Sequence, residues 1–347
     1  MILLYAFAVL VGLIIIYLVI IIFLPGINVK KQPLPQGNLP HSNKQENTFS
    51  SRTDISFMVN GSEIKGWLYL PDNRSGPVPC IVLNNGFGGT KDVVLEQYAL
   101  RFQKSGMAAL TYDYRHFGES DGEPRQLFSI RSQLEDCRAA IDFARLRSEV
   151  NPDKVGIWGT SASGGYGLAI AARDKQIACL CAQVAGLDRK EDSKLFLERE
   201  GWGFMLRLLM HAQRDKGRSR FGLSPHKIPI VGKSGTMAMF PVKGAYNGYT
   251  ELTKNSSFVN EVCARVILTT GNYNPLKFAK NVNCPVLIQV CDQDKLVSPK
   301  SADKVKEILG EKAEVLHYPI GHFDIYSGDH FEKAVSDQIA FFKRHLK

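Results

Sequence analysis

The sequence predicts an α/β fold with a mainly parallel sheet, helices on both faces, a cap insertion and one N-terminal transmembrane helix. Two observations support this prediction. Buried runs such as "PCIVLNN" and "AALTYDY" alternate with helical patterns along most of the chain, which is typical of parallel sheets covered by helices. Residues 1–24 carry no charged side chain, and as a helix they extend about 36 Å, enough to cross a bilayer core of about 30 Å.

The N-terminal segment favours an uncleaved anchor over a signal peptide. No basic residue precedes the apolar run, and "PGINVKK" after it offers no A-x-A cleavage site. Lys30 and Lys31 follow the run directly, so the positive-inside rule places the C-terminal body in the cytoplasm. Residues 25–50 are rich in Pro, Gly, Asn, Gln and Ser, which predicts a flexible linker before a folded domain over 51–347.

Composition and charge indicate which kinds of binding partner and cofactor to expect. The chain has 347 residues, 44% of them hydrophobic, and a net charge of +9, which would suit an anionic lipid surface or a nucleic acid. The sequence has no Lys/Arg run and no zinc-finger spacing, which argues against nucleic acid. The seven cysteines are scattered without a C-x-x-C pair, so we expect buried thiols in a reducing compartment, and no disulfide, metal or other cofactor.

The body begins with a hairpin and then alternates. "DISFMV" and "IKGWLYL" are joined by Asn60-Gly61, a strong hairpin signal. Strands and helices then follow in turn, including the amphipathic helix in "SIRSQLEDCRAAIDFARLR" and a closing helix in "HFEKAVSDQIAFFKRHL". The pattern pauses over about residues 187–283, which is longer than a plain connection.

This insertion predicts a cap above the carboxyl ends of the strands, where open α/β sheets bind ligands. Its segment "SKLFLEREGWGFMLRLLMHAQR" interleaves apolar residues with arginines. One interpretation is a lid packed on the core. The other is a lid that also touches the membrane and roofs an apolar acyl pocket.

The stretch "VGIWGTSASGGYG", residues 155–167, places two serines at a strand-turn-helix junction. Ser161 follows the pattern Gly-x-Ser-x-small, which presents a nucleophile on a sharp turn. Ser163 would lie half a turn into the helix, so we prefer Ser161. A serine hydroxyl is a weak nucleophile and needs a base that a carboxylate orients.

In folds that present a serine on such a strand-turn-helix junction, the acid and the base follow the serine along the chain, in the order Ser, acid, His. We therefore expect them after the last two strands of the core. "CPVLIQVCDQDKLVSP" offers Asp292 and Asp294, and Asp294 is preferred because it lies in the loop. "VLHYPIGHFDIY" offers His317 and His322. His317 falls within the strand and is predicted to pack, whereas His322 lies in the following loop, so His322 is the predicted base.

An oxyanion hole requires two backbone N–H groups aimed at the developing charge. Ala162, after the nucleophile, would supply one, and Phe87 in "NNGFGGTKD" would supply the other. Gly86 and Gly88 would let this loop approach the substrate closely. The loop lacks the G-x-x-x-x-G-K-[ST] pattern of a phosphate cradle.

Five motifs in order carry a family resemblance: "NGFGGTKD", "YDYRHFGESDGEPRQL", "GIWGTSASGG", "QVCDQD" and "YPIGHFDIY". The chain resembles bacterial serine hydrolases of the α/β-hydrolase superfamily, in the subgroup of esterase-, lipase- or peptidase-like enzymes, over about residues 51–347. It departs from the family with Asn85 where the oxyanion loop usually has His, and with Ser163 where Gly is usual. Asp113 and Arg115 in the second motif are expected to form a polar network that fixes a loop.

The sequence therefore predicts a membrane-anchored serine hydrolase that cleaves a small acyl ester or thioester, with lipids among the candidate substrates. Alternatives are an acyltransferase or peptidase using the same three residues, and a non-catalytic membrane-tethered scaffold. The substrate, the acyl chain length and the oligomeric state are not predicted.

Overall fold

The computed structural model describes residues 1–24, 27, 29–34, 52–270 and 273–347. Its strands are β1 (Arg52–Val59), β2 (Ser62–Tyr69), β3 (Val78–Asn84), β4 (Ala108–Tyr112), β5 (Val150–Thr160), β6 (Cys179–Gln183), β7 (Lys227–Ile228), β8 (Val262–Cys263), β9 (Val286–Cys291) and β10 (Ala313–Tyr318). Its helices are α1 (Ile2–Phe23), α2 (Leu95–Lys104), α3 (Ile130–Arg145), α4 (Ala162–Ala171), α5 (Arg189–Arg220), α6 (Ala245–Thr253), α7 (Val266–Thr269), α8 (Leu276–Ala279), α9 (Lys300–Leu309) and α10 (Gly328–His345).

Eight strands form the central sheet in the order β1-β2-β4-β3-β5-β6-β9-β10. The β1–β2 hairpin is antiparallel and closes at Val59 opposite Ser62, as the Asn-Gly pair predicts. β2 pairs antiparallel with β4, and all later pairs in this sheet are parallel. The mainly parallel sheet that the alternating pattern predicts is therefore confirmed.

Two apolar cores cover the two faces of the sheet. In β3, Cys80 and Val82 belong to one core, while Ile81 and Leu83 belong to the other, because successive side chains of a strand point to opposite faces. Helices α3, α4 and α9 pack into the first core, and α2 and α10 pack into the second. Because β3, β4, β5, β6, β9 and β10 are parallel, their carboxyl ends lie at the same edge of the sheet. The loops that follow these strands carry the predicted site residues.

The segment between β6 and β9 holds α5, α6, α7, α8 and the small β7–β8 sheet. α5 consists of two helical halves joined at Gly201, whose φ of 76° and ψ of 166° interrupt the helix. Gly tolerates this left-handed φ because it has no Cβ. The chain over the predicted cap range thus forms no strand of the central sheet within the residues that the structure describes.

α1 is mostly exposed and carries no charged residue. Among the described helices it is the one with the length and apolarity to span a membrane, a criterion that signal sequences and buried core helices also meet. Residues 25, 26, 28 and 35–50 of the predicted linker lie outside the described part. The described residues 29–34 pack against the body, since Lys31 pairs with Glu261 at 2.9 Å and the Asn260 amide donates to Gln32 O at 2.7 Å. The flexibility of the rest of the linker stays a prediction.

Candidate active site

Ser161 lies between the end of β5 and the start of α4 with φ 55° and ψ −118°. This region of backbone space is strained for a residue with a Cβ. Two hydrogen bonds hold it: Ser161 N–H donates to Gln183 O at 3.0 Å, and Gly186 N–H donates to Ser161 O at 3.0 Å. The sharp turn leaves Ser161 half-buried on the wall of a cavity.

The second serine of the motif has a different environment. Ser163 is fully buried, its Oγ donates to Asn84 O at 2.6 Å, and it accepts from Thr160 N–H at 2.9 Å. A Cβ on Gly159 would lie 2.6 Å from Ser163 O, so the turn requires glycine at that position. Ser163 therefore holds the turn together, and Ser161 is the serine that reaches the cavity.

Asp294 and His322 form a buried pair beyond the ends of β9 and β10. His322 Nδ1 lies 2.6 Å from Asp294 Oδ2, and the two side chains are 6% and 2% exposed respectively. Asp294 Oδ1 accepts from the N–H groups of Leu296 and Val297 at 2.7 and 3.1 Å. These bonds orient the carboxylate, and the carboxylate in turn orients the imidazole.

The rejected candidates, His317 and Asp292, pair with each other. His317 Nδ1 lies 2.7 Å from Asp292 Oδ1, with side chains 48% and 42% exposed. The prediction that His317 packs in the core was wrong. β10 is the edge strand of the sheet, and this position of it stays open to solvent.

The segment that carries His322 docks beside the serine turn. Tyr326 OH lies 2.5 Å from Thr160 Oγ1, one residue before Ser161, and its ring centroid is 6.4 Å from that of His322. Ser161 Oγ forms no hydrogen bond with any of the described residues, His322 included. Catalytic hydrogen bonds are often long without substrate and tighten when it binds.

The glycine-rich loop after β3 lies against the serine. A Cβ on Gly86 would sit 3.2 Å from Ser161 Cβ, so glycine permits this close approach. Gly88, at φ 71°, instead faces the segment between β6 and β9, where a Cβ would meet Ile230 Cδ1 at 2.5 Å. Neither glycine is among the described residues that line the cavity beside Ser161, but Phe87 between them is.

The two predicted oxyanion donors have unengaged N–H groups. Phe87 N–H has no acceptor among the described residues, and Ala162, as the first residue of α4, has no intrahelical acceptor. The Phe87 ring stacks on Phe128 with centroids 4.1 Å apart, and Phe87 O accepts from Tyr249 OH at 3.2 Å. Tyr249 of α6, in the segment between β6 and β9, thereby holds this loop.

Asn85, the departure from the usual histidine, also holds the loop. Its Nδ2 donates to Thr90 O and Val93 O at 2.7 and 2.9 Å, and its Oδ1 accepts from Gly86 N–H at 2.8 Å. The side chain is buried and uses both ends of its amide. The substitution therefore keeps a rigid loop without an imidazole.

Two cavities meet at the site. The one beside Ser161 measures about 850 Å³ including its open mouth, and its wall is mainly apolar and aromatic: Phe87, Phe128, Ile130, Tyr166, Met239, Phe240, Tyr249, Tyr273, Pro275, Leu296 and Val297. The other, beside His322, measures about 1430 Å³ including open solvent and is lined by charged as well as apolar residues. Leu296 lines both cavities.

Comparisons with known proteins agree with this architecture. A model of the X-Pro dipeptidyl-peptidase (S15) family matches residues 60–220. The quorum-quenching protein AidA of Acinetobacter baumannii is 38% identical over 84% of this chain and 94% of its own length. The polyketide transferase ATR5 of Stachybotrys chlorohalonatus is 30% identical over 86% of this chain and 98% of its own.

A comparison with a solved structure identifies the fold. The α/β hydrolase GrgF from Penicillium sp. superposes with a TM-score of 0.73 at 25% identity, covering 85% of this chain and 99% of that one. This chain belongs to the α/β-hydrolase superfamily.

The polar motif after β4 has a structural role in this α/β hydrolase. Lys91 Nζ donates to Asp113 at 2.8 Å, with both side chains buried. Arg115 Nε donates to Asp136 at 2.6 Å, and burial raises the pKa of that carboxyl to about 6 against the pull of the guanidinium. None of these four residues is among the described lining of the two cavities at the site.

Two polar residues of the hydrolase cavity were not predicted from the sequence. Arg189 and Asp192 lie in the first turn of α5 and line the cavity beside Ser161. Arg189 Nη2 donates to Thr270 Oγ1 at 3.1 Å, and the nearest charge that acts on this guanidinium is that of Asp192. In the sequence, both resemble ordinary surface residues of a helix start, so only a prediction of the cap's orientation could have found them.

Asp192 lies close to the buried pair. Burial raises its pKa to about 7, although the Ser298 N–H that it accepts at 2.9 Å and the nearby Arg189 oppose this shift. The charge of Asp294 adds to the rise. Among the described residues, the cavity of this α/β hydrolase thus combines an apolar wall with the cation of Arg189 and the carboxyl of Asp192.

Proposed function

We propose that this α/β hydrolase is a membrane-anchored serine hydrolase that cleaves an acyl ester or thioester through an acyl-enzyme. The observation that carries the proposal is the buried His322–Asp294 pair, 2.6 Å apart, at the same edge of the sheet as the strained Ser161. Serine, base and orienting carboxylate are the three parts that nucleophilic acyl transfer requires.

In the proposed reaction, Ser161 Oγ attacks the acyl carbonyl carbon while His322 Nε2 takes its proton. Asp294 holds Nδ1–H and stabilises the imidazolium that forms. The N–H groups of Phe87 and Ala162 donate to the oxyanion, a contribution of about 3–4 kcal/mol per donor in related sites. Collapse of the intermediate expels the alcohol or thiol, which receives the proton from His322, and water then releases the acyl group by the same steps.

The two cavities suit the two halves of the substrate. The apolar cavity beside Ser161 fits an acyl chain, and the more polar cavity beside His322 fits the leaving group and the incoming water. An alcohol or thiol leaves more easily than an amine, which supports an ester or thioester over an amide. The thiohydrolase aneE of Aspergillus aculeatus, 26% identical over 86% of this chain, is named for such a reaction.

Acyl transfer to an acceptor other than water is the second candidate. It is favoured by relatives named polyketide transferases, among them ATR5 and af380 of Aspergillus fumigatus, which is 28% identical over 85% of this chain. Both reactions share the acyl-enzyme and differ in the acceptor. Product analysis with and without an added alcohol or amine separates them.

The anchor belongs to the same proposal. α1 would span the membrane, with Lys30 and Lys31 on the cytoplasmic side together with the catalytic domain. Protease protection of the domain in sealed vesicles tests this orientation.

Labelling of the full chain in detergent micelles with a fluorophosphonate probe tests the catalytic proposal. We expect labelling of the native chain and of Ser257→Ala, and loss of labelling in Ser161→Ala. Ser257→Ala is the matched control because it removes the hydroxyl of an exposed serine that takes no part in the turn around Ser161. Labelling that persists in Ser161→Ala, or that is absent from a natively folded chain which also turns over no p-nitrophenyl ester, would refute the proposal.

A further inference from the structure

The second half of α5 turns an apolar face away from the body. Trp202, Leu206 and Met210 are 70%, 60% and 41% exposed. Their spacing of four residues places them on one side of the helix. Phe204 and Leu208, on the opposite side, are buried in the core. Three large apolar side chains in a row on an exposed helix face indicate a contact surface.

The same face continues directly into the contact with α1. Gln213 Oε1 accepts from Tyr17 OH at 3.0 Å. A Cβ on Gly217 would lie 2.4 Å from Ile22 Cγ1, so the two helices touch closely there. Positions 202, 206, 210, 213 and 217 therefore form one stripe, of which α1 covers the C-terminal part and leaves the N-terminal part uncovered.

Two arginines join α5 to the end of α1. Arg214 Nη1 donates to Ile21 O at 2.5 Å, and Arg218 Nη1 donates to Ile22 O at 3.3 Å. These carbonyls lie in the last turn of α1, where backbone acceptors lack intrahelical donors and the helix dipole favours a cation. α5 is thus fixed at the point where a membrane-spanning α1 would leave the bilayer.

We propose that the exposed stripe of α5 formed by Trp202, Leu206 and Met210 lies in the interfacial layer of the membrane, in contact with lipid. This inference rests on the anchoring role proposed for α1. A lipid surface is the occupant because the stripe is continuous with the face that packs on α1. The exposed cations Arg207 and Lys216 lie on either side of it, where anionic headgroups add about 1 kcal/mol of attraction for each basic residue.

The lipid contact would also indicate which substrates the proposed hydrolase acts on. The first half of α5, before Gly201, carries Arg189 and Asp192 on the cavity wall. The helix that touches lipid is therefore the helix that borders the acyl cavity. An acyl ester dissolved in the bilayer is the substrate class that this arrangement favours.

Tryptophan fluorescence of the full chain in nanodiscs tests the contact. The chain has three tryptophans, of which Trp158 is fully buried and Trp67 is half-buried in the hairpin. We expect phospholipids brominated on the acyl chain to quench the native chain and to lose most of that effect in Trp202→Phe. Equal quenching in Trp202→Phe, or no quenching of the native chain, would overturn the proposal. The same measurement in Ser161→Ala needs no turnover, so it separates a failed contact from a failed catalytic proposal.

Substrate presentation gives a second test. Leu206→Ser combined with Met210→Ser should slow hydrolysis of an ester dissolved in vesicles by about tenfold and leave hydrolysis of soluble p-nitrophenyl acetate unchanged. The matched control is Leu146→Ser, which changes an 86% exposed leucine outside α1 and α5. An equal loss with both substrates, or the same loss in the control, would contradict the proposal.

Discussion

Two His–Asp pairs lie near the carboxyl ends of β9 and β10, and they differ in burial far more than in distance. His322 and Asp294 are 2.6 Å apart with side chains 6% and 2% exposed. His317 and Asp292 are 2.7 Å apart with side chains 48% and 42% exposed. Both pairs consist of the same residue types from the same two chain segments.

The difference shows that the pairing distance alone does not identify a catalytic pair. An exposed ion pair is screened by water and contributes about 0–1 kcal/mol. In a buried pair the interaction is stronger, and loss of one partner leaves the other uncompensated. Asp294 also accepts two backbone N–H groups, which fix it relative to His322. Burial and a fixed orientation favour the inner pair as the catalytic one.

The largest effect is expected from Asp294→Asn. Without the carboxylate, the imidazole loses its orientation and the stabilisation of its charged form, so kcat should fall roughly 10³- to 10⁴-fold. Steady-state turnover of a p-nitrophenyl ester by the full chain in micelles measures it. Asp292→Asn is the matched control, and similar losses in the two variants would erase the distinction between the pairs.

Arg189→Met tests how the surroundings of the inner pair select the acyl chain. We expect kcat/KM to fall about 10- to 100-fold for a nitrophenyl ester whose acyl chain ends in a carboxylate, since a hydrogen bond to a charged group contributes about 1.5–3 kcal/mol. The uncharged ester of equal length should change little. Equal losses with both esters would show that Arg189 supports the fold and does not select the substrate.

A smaller effect is expected from the titration of Asp192. Its pKa is raised to about 7, so the carboxyl is neutral below that pH and becomes negative above it. The new negative charge offsets the positive charge of Arg189 and repels the carboxylate of the substrate. KM for the carboxylate-bearing ester should therefore rise several-fold as pH increases through 7. Asp192→Asn should abolish this rise. If KM of the native chain and KM of Asp192→Asn depend on pH in the same way, Asp192 is not the group that causes the rise.

The smallest effect is expected from His317→Ala. We expect kcat to stay within about twofold, and stability to change by less than about 1 kcal/mol because the pair is exposed. Thermal unfolding in detergent and ester turnover measure the two quantities. A large loss of kcat here would mean that the outer pair takes part in the reaction.

Local sequence signals predicted much of the fold and limited the candidates for the serine, the acid and the histidine to two residues each. The Asn-Gly hairpin and the parallel alternation need only short-range periodicity and turn chemistry, and the structure contains both. The preference for Ser161 over Ser163 used their positions on the turn, and the structure places Ser163 in buried hydrogen bonds. His317 was misplaced because the strand pattern does not reveal which strand forms the edge of the sheet.

The sequence by itself determined the class of fold, the candidates Ser161, Asp294 and His322, and the apolar N-terminal segment, because each was recognised from a pattern of residues close together in the chain. Only the tertiary structure decided which His–Asp pair is buried and which face of α5 stays exposed beside α1. It also decided that Arg189 and Asp192 reach the cavity. These features arise from contacts between segments far apart in sequence, so no local pattern contains them.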